Sequence, residues 1–528
     1  MNENRDTLKE ILLKIPFHIR CCLVSGILWG IITHAYMLTN KLPNWDDINN
    51  VGGYAVGSEF GRWFLKYVNP LDGIWSVPWL SGIFSIVLIS AAACFVLSTL
   101  HLKSTTSAVL IPLMMLSFPS MCSLFTFMFT ADCYAVGILL ACAGAWLIRK
   151  YRFGFLPGIV CLVLSMGIYQ AYLCLALGIL VMGLFLDMLE ENSRTADVFR
   201  RGVKAFVVAC ISVVIYTIVS RIVYPQLDAY NGLDQMGKID LIRLPRLILR
   251  SYKWVVQYFI LKPFSFVTAA AWALNVASCL LTAGLVIAFF IRKKIYKNSG
   301  SAILYIFLAM MVPLAMGSII IMAPDASISM LMLYQYHILY TFLAALLEKS
   351  QDTQSGLFLA DAGKVRAGRI LGYVVAAVLL LVGYQNFVVT NQAYFRMGIA
   401  YERSYAYYNR IMERIEATAG YQPGDPFALI GEYGLSETPD LLGSYSMDGD
   451  RFTDLSGVAK ETGLLTSGVR YNFMKTYIGV EMPEVSEEAV EAIKETKEYQ
   501  EMPAYPADGC VKQIEGVWVV KTCEETKG

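Results

Sequence analysis

Two adjacent carboxylates, Asp46 and Asp47, stand in Asn44-Trp45-Asp46-Asp47-Ile48, just after an apolar stretch. Close carboxylates compete for ionisation, so one of a pair can hold a proton to higher pH and serve as a general base. The same residues would also suit the cap of a short helix. A cation, Arg62, follows in Gly61-Arg62-Trp63. A third carboxylate, Asp132, lies at the end of another apolar stretch, in Thr130-Ala131-Asp132-Cys133-Tyr134. A carboxylate is costly there and marks a site, although a helix start would favour it through the dipole alone. Arg221 ends a further apolar stretch and either snorkels to the interface or holds a phosphate. Arg243, Arg246, Arg250 and Lys253 are spaced three, four and three apart, which puts them on one helical face. Leu241, Leu244, Leu247 and Leu249 intersperse with them, and Pro245 falls near the helix start, where it is tolerated. This reads as an interfacial amphipathic helix, either with solvated charges or cradling a lipid phosphate. His34, His337, Tyr334, Tyr336 and Tyr340 read as packing residues.

The elements that carry these residues are apolar. Of 528 residues, 56% are hydrophobic and 16% charged, against about a quarter charged in soluble chains. The mean hydropathy is +0.52. This excludes a disordered chain and a nucleic-acid partner, and argues against an ordinary soluble enzyme. The apolar blocks are about the length that crosses a bilayer as a helix. Eleven spans are expected, at 18–38, 75–99, 105–121, 131–149, 154–169, 171–189, 203–223, 268–291, 301–322, 329–347 and 369–390. The run 154–189 is too long for one crossing, so a re-entry is expected at Tyr169-Gln170.

Basic residues set the orientation. Arg5, Lys9, Lys14 and Arg20 precede or open the first span, which reads as a retained signal anchor. Lys103, Arg149–Arg152, Arg194–Lys204, Arg292–Lys297 and Lys349–Arg369 fall in alternate connections. The N-terminus is then cytoplasmic and the tail from about 391 lies outside. The tail is acidic, with 13 Lys and Arg against 23 Asp and Glu in residues 391–528. The expected domains are a membrane domain, 1–390, and a small extracytoplasmic α+β domain, 391–528. In the latter, 391–415 continues the last span as helix, Phe427–Gly431 is a strand and 484–499 is a helix begun by Pro483. A hairpin turning at Glu515-Gly516 joins Cys510 to Cys523, which would pair as a disulfide.

With these residues in place, the chain resembles the glucosyltransferase-II family, whose multi-span enzymes glucosylate O-antigen and related surface polysaccharides. The resemblance rests on Asp46-Asp47, Gly61-Arg62-Trp63, Pro119 through Phe125, Phe127, Asp132-x-Tyr134 and Ser165-x-Gly167-x-Tyr169-Gln170. It runs in order over roughly residues 20–390. It implies an all-α polytopic GT-C-like fold in a bacterial plasma membrane, an inverting transfer and a polyprenyl-phosphate-linked sugar as donor. The acceptor would be a surface glycan, and the bilayer would give access to the lipid tail. By the same resemblance Asp46 or Asp47 is the base, Asp132 a second acid, and Arg62 offsets phosphate charge. Tyr169 and Gln170 line the sugar pocket, and Tyr134 is a further substrate-binding residue. Arg221, Arg243, Arg246 and Arg250 are further candidates for the phosphate.

No strong metal signature is present, though Asp46, Asp47 and Asp132 could hold a divalent cation through oxygen. Two other readings share these substrates: a flippase of lipid-linked sugars, which needs the anion cradle and no base, and a polysaccharide polymerase. A flippase would favour inverted repeats, and none is visible. The early Asp-Asp pair does not fit the polymerase.

Overall fold

The computed structural model describes residues 14–52, 57–73, 75–191, 193–225, 242–262, 264–352, 357, 362–431, 451–459, 461–481, 483 and 485–523. Arg5, Lys9 and Leu241 lie outside them. The chain divides into two compact units. One comprises residues 1–39, 54–391 and 452–456, and the other 40–53, 392–451 and 457–528. The expected boundary at 390 is thus accompanied by an exchange: the Asp46-Asp47 segment belongs to the second unit.

The first unit is a helical bundle. Eight described helices are long and apolar enough to cross a membrane: Phe17–Thr39, Pro78–Thr99, Met128–Lys150, Thr195–Val223, Ala269–Arg292, Ser299–Gly317, Met330–Gln351 and Gly363–Glu416. A ninth span results if Thr105–Ser117 and Pro119–Thr126, bent by 49° from each other, are one crossing. The eleven expected spans are therefore eight or nine by length. The bend has a local cause. Phe118 precedes a proline and is extended (φ −59°, ψ 141°), and Pro119 restarts the helix at its first position. The two spans expected within 154–189 are the helices Phe155–Ile168 and Tyr172–Asp187, of 14 and 16 residues, shorter than the ~20 that span a bilayer. Between them Tyr169 is extended at φ −154°, which breaks the run where Tyr169-Gln170 interrupts the apolar sequence.

Small residues let the helices approach. A Cβ on Gly30 would stand 2.6 Å from Ile86, so the first two long helices meet through a hydrogen atom rather than a methyl group. At one set of helix ends, Arg149 holds Asp187 with both nitrogens, at 3.2 and 3.0 Å, and Arg201 reaches the same carboxylate at 3.0 Å. Lys349 pairs with Glu190. These are the basic connections of the sequence, tied to acids that the charge pattern alone left unassigned.

The last long helix, Ala362–Glu416, contributes residues to both units. In the second unit a three-stranded sheet has the order β1-β3-β2 (β1 Phe427–Ile430, β2 Val511–Ile514, β3 Val517–Lys521). β1 runs parallel to β3, and β2 antiparallel to it. The hairpin turn uses Glu515 and Gly516 at φ 49° and 82°, the positive pair that a two-residue type I′ turn requires. The sheet and nearby helices share a core of Ala428, Ile430, Ile493, Tyr499, Met502, Ile514 and Val519. The acidic helix is shorter than expected. It spans Glu487–Glu495, capped by Ser486, and stops at Thr496, whose hydroxyl caps a second helix, Lys497–Gln500.

The expected disulfide is absent: Cys510 and Cys523 both carry thiols. The register explains it. Val511 faces Val520 and the Cys510 carbonyl accepts from Lys521 N, so Cys510 stands opposite Lys521, two residues short of Cys523. Diagonal neighbours lie ~7–8 Å apart across a sheet, beyond disulfide reach.

Candidate functional site

In the first unit, Gly61-Arg62-Trp63 is held from three sides. Its turn begins at Gly57, whose carbonyl accepts from Phe60 N and Arg62 N at 3.0 and 2.9 Å. Gln170 Nε2 donates to Phe60 O at 2.7 Å and to the Tyr216 hydroxyl at 2.9 Å, and Tyr216 donates to Gly61 O at 3.0 Å. Gly61 adopts φ 77°, and a Cβ there would sit 2.5 Å from the Tyr216 hydroxyl. Glycine is thus required twice, for conformation and for space. On the other side Phe64 N donates to Gly167 O at 2.8 Å, and the Trp63 ring lies where a Cβ on Gly167 would be, at 2.9 Å. The break at Tyr169-Gln170 is what turns Gly167, Tyr169 and Gln170 toward this loop.

Held in this way, the Arg62 side chain enters an aromatic box. One Nη donates to the Tyr134 hydroxyl at 3.3 Å, and the guanidinium stands over the Tyr169 ring, 5.0 Å from its centroid. Tyr134 and Tyr169 pack at 5.2 Å and are both buried. A half-buried cation among rings keeps more of its attraction for an anion than one in water, because the local dielectric is low. Tyr134 is two residues beyond Asp132, in the first turn of the helix Ala131–Lys150. Asp132 is 1% exposed. The N-cap is Thr130, without a side-chain capping bond. Asp132 is therefore inside the first turn, where a carboxylate complements the dipole.

The second unit holds the other two carboxylates, on the short helix Trp45–Asn49. Here the capping reading of the sequence is realised by Asn44 and Asp47. Asn44 Oδ1 accepts from Asp47 N at 2.9 Å, and Asp47 Oδ2 accepts from Asn44 N at 3.2 Å, a reciprocal capping box. Asn44 and Asp47 are fully buried, whereas Asp46 is half-buried. Burial pushes the Lys41 ammonium down, against the opposing pull of Asp47. Burial also pushes the Tyr477 phenol up, with Asp47 and Tyr401 adding to it. The helix Ser467–Phe473 packs on this turn, Asn472 donates to Asn49 at 2.8 Å, and Gly463 makes room for Trp45. The two adjacent carboxylates thus differ in environment: Asp47 is committed to the cap and Asp46 is more exposed.

The remaining candidate cations lie on two other helices. The expected amphipathic helix is present as Leu244–Val256, and Arg243, Arg246, Arg250 and Lys253 are exposed. Arg243 pairs with Asp325 at 3.7 Å, and Arg250 donates to Pro324 O at 2.7 Å. Arg221, in the last turn of Thr195–Val223, is exposed, while Tyr216 and Ser220 on the same helix are buried. Among the described residues no three His, Cys, Asp or Glu are grouped as a metal site would need. Tyr216 escaped the sequence reading. Its one signal is a lone phenol in an apolar helix.

Residues 35–348 match the sequence profile of the family described as Glucosyl transferase GtrII. No curated protein and no solved structure matches the chain. The matched stretch exceeds half the chain and contains Asp46, Asp47, Arg62, Asp132, Tyr134, Tyr169 and Gln170. The resemblance that these motifs carried is therefore shown by an independent comparison: the chain belongs to the glucosyl transferase GtrII family, with the glycosyltransferase activity and multi-span character which that membership brings.

Proposed function

We propose that this membrane glycosyltransferase moves a sugar, glucose by family, from a polyprenyl-phosphate carrier to a surface polysaccharide. Transfer takes place on the outer face of a bacterial plasma membrane, with a cytoplasmic N-terminus and the second unit outside. An acceptor hydroxyl attacks the anomeric carbon and gives its proton to a carboxylate. The bond from that carbon to the phosphate oxygen breaks, and its electron pair leaves with the polyprenyl phosphate. A single displacement inverts the anomeric centre.

The observation that carries this reading is the Arg62 box. A guanidinium fixed by Tyr134 and Tyr169, on a loop locked by Gln170 and Tyr216, suits the charge that grows on a leaving phosphate. Asp46 is assigned as the base in preference to Asp47, whose carboxylate serves the capping box. Asp132 is a second acid of the site. In this reading Gln170 acts by holding the loop.

Purified protein given radiolabelled polyprenyl-phosphate-glucose tests this. Wild type is expected to lose the lipid label only when a surface-glycan acceptor is added. Asp46→Asn should abolish transfer while membrane abundance stays normal. Asp47→Asn should lower stability by about 1 kcal/mol, the usual worth of a cap. Full transfer by Asp46→Asn would remove the base assignment, and acceptor-independent binding without transfer would remove the transferase reading.

A further inference from the structure

Behind Arg62 lies a donor that the protein does not use. Tyr172 opens the helix Tyr172–Asp187 and is 1% exposed. Its hydroxyl is buried and meets no hydrogen-bond partner among the described residues. The ring is held in place. It meets Tyr169 at 5.3 Å, and Tyr134 and Tyr334 at 6.5 Å each, all edge-on. The ring also faces Gly137, where a Cβ would fall 2.8 Å from it, and Ser165 fixes that glycine by donating to its carbonyl at 2.7 Å. Tyr169 and Tyr134, which the Tyr172 ring meets edge-on, are also the two rings that hold Arg62.

A buried hydroxyl without a partner is a standing cost, and phenylalanine would fill the same space without it. Packing therefore accounts for the ring and leaves the oxygen unexplained. A ligand group that accepts a hydrogen bond beside a guanidinium accounts for both. We propose that the Tyr172 hydroxyl is a phosphate-binding donor, which works with Arg62 on an oxygen of the lipid-linked phosphate. This rests on the donor class proposed above and adds a residue to the same site.

The test is binding of undecaprenyl phosphate and of undecaprenol to the full-length chain in detergent, each followed by tryptophan fluorescence, with Tm measured in parallel. Wild type should bind the phosphate more tightly than the alcohol. Tyr172→Phe keeps the ring, so its Tm should equal or exceed that of wild type. Its affinity for undecaprenyl phosphate should fall about tenfold, as for a lost hydrogen bond to a charged group, with undecaprenol unaffected. A raised Tm with unchanged phosphate affinity would overturn the inference and leave Tyr172 as packing. If wild type itself fails to distinguish phosphate from alcohol, the proposed donor class falls, and this inference falls with it.

Discussion

Arg62 and the row Arg243, Arg246 and Arg250 belong to the same unit and carry the same charged group. Arg62 is half-buried, bonded to one tyrosine and stacked over another, on a loop fixed by Gln170, Tyr216 and Gly167. The row lies exposed on one helix, with Arg243 near an exposed Asp325 and Arg250 on a backbone carbonyl. Its spacing made it a candidate anion site in the sequence. The difference teaches that regular spacing finds a helical face, whereas a cation's worth to a buried anion depends on what excludes water around it. A solvated guanidinium is screened and pays entropy to hold one geometry. Arg62 has already been ordered by its neighbours.

The comparison breaks most directly at Arg62 itself. Arg62→Ala is expected to cut transfer about a hundredfold or more, as loss of a preorganised charge-stabilising donor does. Arg62→Lys should recover only part, because an ammonium lacks the planar fork that stacks on Tyr169. Steady-state transfer assays at equal membrane abundance measure both, and equal losses from Arg62→Ala and Arg243→Ala would erase the distinction.

A smaller effect should come from the loop that positions Arg62. Gly61→Ala must adopt φ 77° and meets the Tyr216 hydroxyl at 2.5 Å. Strain of this kind costs about 1–3 kcal/mol. The variant should show a lowered Tm and partial activity, with Tyr216→Phe relieving some of the clash. A Gly61→Ala protein with wild-type Tm and transfer would show that the loop's fixation does not matter.

The least effect is expected for the row. Arg243→Ala, Arg246→Ala and Arg250→Ala together should change transfer by less than about twofold, since exposed pairs contribute about 0–1 kcal/mol each. Any loss should shrink at high salt. A large, salt-independent loss would restore the row as the phosphate cradle.

What the sequence by itself determined is what local periodicity and special residues encode. The apolar blocks fixed a multi-span helical bundle. The interruption at Tyr169-Gln170 marked a true break, the Glu515-Gly516 turn a true hairpin, and the row of arginines a true amphipathic helix. The motif residues in order carried the family. Span count was less legible, because an apolar run marks a buried helix without showing that the helix is long enough to cross. Only the tertiary structure decided which of these residues meet. Tyr216 and Gly61 are 155 positions apart, and Gln170 and Phe60 are 110 apart. No window of the chain holds such a pair together. Likewise the capping pattern at Asn44 was readable, but its bond to Asp47, which separates the roles of two adjacent carboxylates, needed the backbone geometry of the turn. The cysteines failed for the same reason. Their spacing suggested a pair, and a register offset of two residues, set by the hairpin turn, kept them apart.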